Sequence, residues 1–358
     1  MSVLDLARRE LLALKAYSSA RMESARLPIM LNANESAWPL IDNGLDLHRY
    51  PDPQPNALLV KLAALYGVDA DQVLIGRGSD EPIDLLTRAF CRAGEDAIVI
   101  SPPTFGMYAV CANVQGARVI EVPLDRSRGF ALDTYRLIGR VLTEEAKLVY
   151  VCSPNNPTGA RVARSEMLGI VEALAGHALV VIDEAYHEYA DVPSMAQELK
   201  RFEHLAVLRT FSKAYGLAGA RLGVLLANAQ VIALLRKLLA PYPLPTASLE
   251  ALDLALQPEA QNAVRERVAL TVAERRRLGL ALAELPCVLE VLASDANFLT
   301  LRVVDAQAIL KRLAERGIAI RDTRKYLGLS DALRISIGTP LENDAVLDAL
   351  RSVVRVAP

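Results

Sequence analysis

Between about residues 57 and 228, short apolar runs alternate with longer stretches in which apolar residues recur every three to four positions. The runs are VLI (73–75), AIVI (97–100), RVIEV (118–122), KLVYVC (147–152), LVVID (179–183), LAVLR (205–209) and LGVLL (222–226). Several are continuous and β-branched, which predicts strands buried on both faces. Helical periodicity over 79–92 and 165–175 falls between them. This alternation predicts an α/β domain with a mainly parallel seven-stranded sheet covered by helices. LGVLL follows LAVLR so closely that their connection reads as a hairpin rather than a crossover.

Beyond the break at Pro241 to Pro245 the pattern changes. A polar-faced helix is predicted over 258–285, then NFLTLRV, a helix over 306–316, GIAIRD, ALRISIG and a last helix over 341–354. These segments predict a smaller α+β domain. The expected division is an N-terminal segment (1–35) packing with the small domain, a large domain (36–245) and the small C-terminal domain (246–358).

Composition narrows the function. Forty basic residues against forty-two acidic ones give a net charge of −2, without the positive excess of a nucleic-acid binder or polybasic membrane protein. No apolar run approaches the ~18 residues a membrane span needs. The start, MSVLDLARRELLALKAY, lacks the basic-then-apolar order of a signal peptide. A soluble, cytoplasmic protein is expected. Cys91, Cys111, Cys152 and Cys287 form no C-x-x-C pair, and the four histidines form no H-E-x-x-H. Neither a disulfide framework nor a metallohydrolase is indicated, and no metal is expected.

The candidate chemistry lies where strand runs end. Ligands of a parallel α/β sheet bind outside the carboxyl ends of its strands. Ser153-Pro154-Asn155-Asn156-Pro157-Thr158-Gly159 follows KLVYVC, Asp183-Glu184-Ala185-Tyr186 terminates LVVID, and Thr210-Phe211-Ser212-Lys213 follows LAVLR. An amide, a carboxylate and an amine thus reach one edge. Gly76-Arg77-Gly78-Ser79-Asp80-Glu81 precedes a helix; it is either a turn capped by Ser79 or Asp80, or a phosphate cradle. Basic residues divide into 32 Arg and 8 Lys, and of the lysines only Lys213 follows an apolar strand into a Ser, Gly and Ala loop. There it reads as a Schiff-base lysine with a lowered pKa, or as a phosphate-binding lysine. Asp183 reads as a helix cap or as the partner of a protonated pyridine nitrogen. Asn156 and Tyr186 are candidate donors to a phenolic oxygen, Arg221 to a phosphate. Phe105 in SPPTFGMY is a core aromatic or stacks on a ring.

Together GRGSDEPI, SPPTFGMY, VCSPNNPTG, VIDEAYHEY, RTFSKAYGLAGARLG and LRISIGTP, with LNANE and HRYPDP near the start, resemble the fold-type I pyridoxal-phosphate-dependent aminotransferases over essentially the whole chain. Within that family the chain is most similar to the branch acting on histidinol phosphate, with 2-oxoglutarate as amino acceptor. The resemblance implies pyridoxal 5′-phosphate as cofactor. It makes Lys213 the Schiff-base and proton-shuttle lysine, Asp183 the pyridinium partner, and Asn156 and Tyr186 the contacts to the cofactor's O3′. Gly78, Ser79, Asp80, Ser212 and Arg221 become the phosphate cup, and Phe105 the stacking ring, where tyrosine is more usual. Tyr50 is implied to reach the neighbouring subunit's cofactor, hence a homodimer with shared sites. Arg334 and Arg321 are implied as anion receptors for substrate, with Tyr17 and Asn34 also on the substrate side. Aromatic amino-acid aminotransferase and phosphothreonine-type decarboxylase activities remain open alternatives within the family. A dehydrogenase is disfavoured because Glu81 and Pro82 stand where a third glycine should fall. A non-enzymatic regulator would be expected to lose Lys213.

Overall fold

The computed structural model describes residues 2–15, 17, 29–41 and 44–353. Parts of the predicted N-terminal segment (1, 16 and 18–28), residues 42–43, and residues 354–358, the first of which ends the predicted last helix, lie outside the described residues. The strands of the large sheet are β1 (Val73–Arg77), β2 (Ala97–Ile100), β3 (Arg118–Glu121), β4 (Leu148–Cys152), β5 (Leu179–Asp183), β6 (Leu205–Thr210) and β7 (Leu222–Ala227). Its helices are α1 (Asn56–Tyr66), α2 (Asp80–Phe90), α3 (Met107–Gln115), α4 (Thr134–Thr143), α5 (Arg164–Ala173) and α6 (Ala229–Arg236).

Among the described residues the sheet has the order β1-β7-β6-β5-β4-β2-β3. Its neighbours are parallel except around β7, which runs antiparallel to both β1 and β6. The connection from LAVLR to LGVLL is therefore the antiparallel one. The reversal has a consequence for chemistry: the carboxyl ends of β1, β4, β5 and β6 and the amino end of β7 all meet at one edge.

Alternate residues of each strand enter separate cores, as the period of two requires. Val73, Ile75, Val149, Ile182 and Val207 pack with α1, α4 and α5 on one face. Leu74, Ile98, Leu148, Val181 and Leu208 pack with α2, α3 and α6 on the other. Burial on both faces is the physical reason these runs are continuous rather than alternating.

Two expected boundaries are corrected. Residues 2–12 lie on the large domain, not the small one: Val3, Leu6 and Ala7 join the core that contains α2 and α6. The Arg8 backbone N–H donates to Ala89 O at 2.9 Å, and Lys237 Nζ donates to Leu12 O at 2.9 Å. The closely spaced apolar Val3 and Leu6 find their cover there. The large domain also extends past residue 245, because α7 (Thr246–Ala255) buries Leu249 and Leu252 in its core.

The small domain consists of α8 (Pro258–Ala283), β8 (Val288–Val291), β9 (Phe298–Val303), α9 (Ala306–Glu315), β10 (Arg321–Asp322), β11 (Ala332–Ser336) and α10 (Pro340–Val353). Its antiparallel sheet, ordered β10-β11-β9-β8, covers a core of Leu278, Leu282, Leu301, Leu313, Ile335 and Leu347. GIAIRD supplies only the two-residue β10. Edge strand β8 escapes the sequence reading because its half-exposed residues carry no alternating pattern. No described helix is long and apolar enough to cross a membrane.

Candidate active site

The shared sheet edge begins with a turn that only small residues permit. Gly78 has φ +74, and its N–H donates to Arg221 O at 3.0 Å. Across from it, a Cβ on Gly223 would lie 2.2 Å from the Gly78 carbonyl carbon, so the backbones of β1 and β7 close up only if residue 223 lacks a side chain. Arg221 itself adopts φ +55, a costly conformation for a non-glycine residue, and its Nη2 lies 3.1 Å from Asp80 Oδ2. Ser79 is the N-cap of α2, yet its side chain makes no capping bond. Helix amides, a free hydroxyl and a half-exposed guanidinium thus converge on one spot, a cup for an anion. Ser212 borders it, its N–H donating to Thr210 Oγ1 at 3.2 Å.

Asp183 ends β5 and is only 2 % exposed. Tyr108 donates to its Oδ2 at 2.6 Å and the Ala185 N–H to its Oδ1 at 3.1 Å. Among the described residues no cation pairs with it. Burial pushes its pKa up to about 6, against the donation from Tyr108. Lys213 follows β6, with Nζ 5.7 Å from the centre of the Tyr186 ring. Its pKa is lowered, first by burial and then by the positive charge of Arg334. An amine whose pKa is lowered and a buried carboxylate without an ion pair therefore lie within electrostatic reach of each other.

The small domain completes the site. Arg334, on β11, donates from Nη1 to Asn156 Oδ1 and lies over the Phe298 ring at 5.0 Å. A guanidinium only donates, so the amide turns its oxygen to Arg334 and leaves its NH₂ free for an acceptor in the cleft. Phe298 also packs edge-on against Tyr186 at 5.2 Å, and burial raises the Tyr186 phenol well above its ordinary range. Thr300 Oγ1 donates to Pro157 O, and the Asp295 N–H to Gly159 O at 2.8 Å, clasping the loop after β4. Arg321 on β10 is the register partner of Arg334. Both line a cleft of about 450 Å³ with Ser336 and Asn343.

The structure thus brings together Gly78, Ser79, Asp80, Asn156, Asp183, Tyr186, Ser212, Lys213, Arg221 and Arg334. Phe105 is partly buried and meets the Tyr108 ring edge-on at 5.6 Å. Tyr50 lines a different cleft with Asp52, Thr246 and Glu250, and stacks on Tyr242 at 4.2 Å. Tyr17 is 68 % exposed, and Asn34 is exposed with φ +54; neither contacts the Lys213 cluster among the described residues.

Sequence reasoning missed Tyr108, Phe298 and the buried ion cluster of Glu184, Glu188 and Arg209. Arg209 Nη1 lies 2.9 Å from Glu184 Oε2, and its Nη2 2.7 Å from Glu188 Oε1. A signal existed for the cluster: an arginine closing the apolar run LAVLR must find a counter-charge if that strand is buried. Nothing local distinguishes Tyr108 from a core aromatic.

The family model described as Aminotransferase class I and II matches residues 17–350. Histidinol-phosphate aminotransferase of Xanthomonas euvesicatoria pv. vesicatoria is 49 % identical over 352 residues, 98 % of this chain and 97 % of that protein. The protein of the same name from Stenotrophomonas maltophilia is 51 % identical over 350 residues, 97 % of this chain and 96 % of that one. Among solved structures, histidinol-phosphate aminotransferase from Sinorhizobium meliloti in complex with pyridoxal-5′-phosphate has a TM-score of 0.78 at 30 % identity, covering 87 % of this chain and 84 % of that one.

Proposed function

The chain belongs to the class I and II aminotransferase family, and from that premise we propose that it transfers the amino group of L-histidinol phosphate to 2-oxoglutarate. The products are imidazole acetol phosphate and glutamate, a step of histidine biosynthesis, and the cofactor is pyridoxal 5′-phosphate. The observation that carries this reading is the convergence, at one sheet edge, of the amine of Lys213, the unpaired buried carboxylate of Asp183 and the anion cup. Full-length identity near one half to relatives bearing that name supports the substrate.

The donor set fits the cofactor. Gly78, Ser79, Asp80, Ser212 and Arg221 would hold its phosphate, Asp183 its ring nitrogen, and Asn156 and Tyr186 its phenolic oxygen. Phe105 keeps the capacity to stack on the ring but lacks a hydroxyl. When bound, the cofactor supplies an electron-withdrawing ring that stabilises negative charge on the substrate carbon bearing nitrogen. Lys213 Nζ would take the proton from that carbon and give it up to the cofactor carbon that had carried the aldehyde, ending as the free amine. Asp183 keeps the ring nitrogen protonated. Arg334 receives the phosphate of histidinol phosphate in one half-reaction and a carboxylate of glutamate in the other, since a guanidinium fork suits both. Arg321, its neighbour across the strand pair, is the second anion receptor, with Tyr17 and Asn34 on the substrate side. We assign Tyr50 to the cofactor of a neighbouring subunit, which makes the active form a homodimer, and we propose the cytoplasm as its compartment.

Two measurements test this function. Turnover of histidinol phosphate, phenylalanine and tyrosine with 2-oxoglutarate is expected to give the highest kcat/KM for histidinol phosphate, the substrate in the name its relatives share. Equal turnover of all three would replace the reading with an aromatic aminotransferase. The second uses the cofactor-free protein. A folded-state pKa near 6 against an unfolded value of 3.8 means that native Asp183 keeps its proton while the unfolded chain loses it. Stability from this group is therefore full below pH 3.8 and falls as pH rises to about 6, by about 3 kcal/mol. The stability difference between wild type and Asp183→Asn is expected to follow that fall in denaturant titrations, and saturating cofactor should reduce it. A flat difference would place the carboxylate in a wetter environment.

A further inference from the structure

Tyr108 stands in the first turn of α3 and is fully buried. Its ring stacks on Tyr150 at 4.5 Å with 10° between the planes, and Phe105 meets it edge-on at 5.6 Å. Tyr150 points its own hydroxyl elsewhere, 3.4 Å from Thr87 Oγ1 and from Ile83 O. A ring held by two aromatic neighbours has little freedom, so the Tyr108 hydroxyl is aimed at Asp183 by packing. With the Ala185 N–H on the other oxygen, each carboxylate oxygen receives one donor. This fixes the carboxylate plane and leaves each oxygen with acceptor capacity for a ligand.

We propose that Tyr108 is a positioning residue that aims Asp183 at the cofactor's ring nitrogen and holds it as the carboxylate, and so sets how firmly the cofactor is retained. This inference rests on the function proposed above. A buried carboxyl group tends to keep its proton, and a protonated Asp183 cannot pair with a protonated ring nitrogen. A hydroxyl donating to the charged form works against that tendency. Burial pushes the Tyr108 phenol well above its ordinary range, so it remains a donor throughout the working pH range. The other titratable groups facing Asp183 are Tyr150 and Cys152 on β4, Asp80 on α2, Glu184 and Tyr186 on its own loop, and Lys213 after β6. Of these only Lys213 carries positive charge, and the proposed chemistry gives it another task.

The test compares holoenzymes: wild type, Tyr108→Phe, Tyr150→Phe, Asp183→Asn and the Tyr108→Phe/Asp183→Asn pair. The readout is the rate of pyridoxal phosphate loss on dialysis, followed by its visible band from pH 5 to 8. Tyr108→Phe is expected to lose cofactor about tenfold faster at neutral pH, as for one hydrogen bond to a charged group. The pH below which cofactor escapes should rise by about one unit, because the carboxylate becomes harder to keep ionised. Tyr150→Phe removes a buried phenol from the same aromatic stack without touching Asp183, and should match wild type. In the Asp183→Asn background, Tyr108→Phe should add less than about a twofold change, since its partner charge is gone. Wild-type behaviour of Tyr108→Phe, or an undiminished effect in that background, would overturn the inference. A wild-type protein that holds no pyridoxal phosphate would overturn the functional reading itself, and this inference with it.

Discussion

Lys213→Ala is expected to lower kcat for transamination by about 10⁴ or more, the upper range for losing a positioned proton-transfer group, with the covalent role lost as well. Several features of the chain place this burden on a single residue. Lys213 lies in the loop just beyond β6, and burial together with the neighbouring Arg334 lowers its pKa. Both effects favour the uncharged amine that nucleophilic attack and proton abstraction require. Lys213→Arg should fail to rescue, because a guanidinium keeps its charge but cannot give up its proton. Steady-state assays with histidinol phosphate and 2-oxoglutarate measure the rate. Borohydride treatment followed by peptide mapping measures covalent attachment, which should occur at residue 213 in wild type and vanish in both variants. Near-normal turnover by Lys213→Ala would remove the central residue from the mechanism.

Arg209→Met is expected to destabilise the protein by about 3–5 kcal/mol, the usual consequence of stranding buried charge. Arg209 is 6 % exposed, and its loss leaves Glu184 and Glu188 facing each other without a counter-charge. Glu184 is further fixed by Ser194 Oγ at 2.6 Å and the Met195 N–H at 2.7 Å, so it cannot turn to solvent without breaking those bonds. The guanidinium also lies 5.0 Å from the centre of the Tyr66 ring, a contact methionine replaces only in part. A fall in melting temperature of roughly 10 °C should follow, given ~2–4 °C per kcal/mol for a domain of this size. Adding Glu184→Gln should cost less than the sum of the two single changes, since one removes the charge the other leaves unpaired. Full additivity in denaturant titrations would mean that the two side chains act separately. The cluster also bears on chemistry: Glu184 follows Asp183 in the chain, and Arg209 belongs to the strand leading to Lys213. It therefore ties together the two strand ends that present the carboxylate and the amine.

Comparison of particular elements separates what local pattern reveals from what packing decides. The strands of the large sheet were legible because a segment buried on both faces must be apolar at every position, whatever its neighbours are. The grouping of Asn156, Asp183 and Lys213 was legible for a related reason: parallel strands must point their carboxyl ends to one side. Arg221 was named as a phosphate donor too, but the route by which it reaches the site was hidden: it stands at the amino end of β7, which runs against its neighbours. The packing of Val3 and Leu6 on the large domain was also hidden, because periodicity reports that a side chain is buried but not against what.

Read alone, the chain was enough to specify the architecture of the large domain, the site edge and Lys213 as the distinctive lysine. These follow from chain-local chemistry, namely the apolar content of a strand and the residues that end it. It took the packed fold to show that Tyr108 donates to Asp183 from 75 positions away, that Arg209 answers Glu184, and that Arg334 crosses from the small domain to Asn156. A buried polar group must find a partner, but which one it finds depends on how separate elements stack, and stacking is a property of the folded whole.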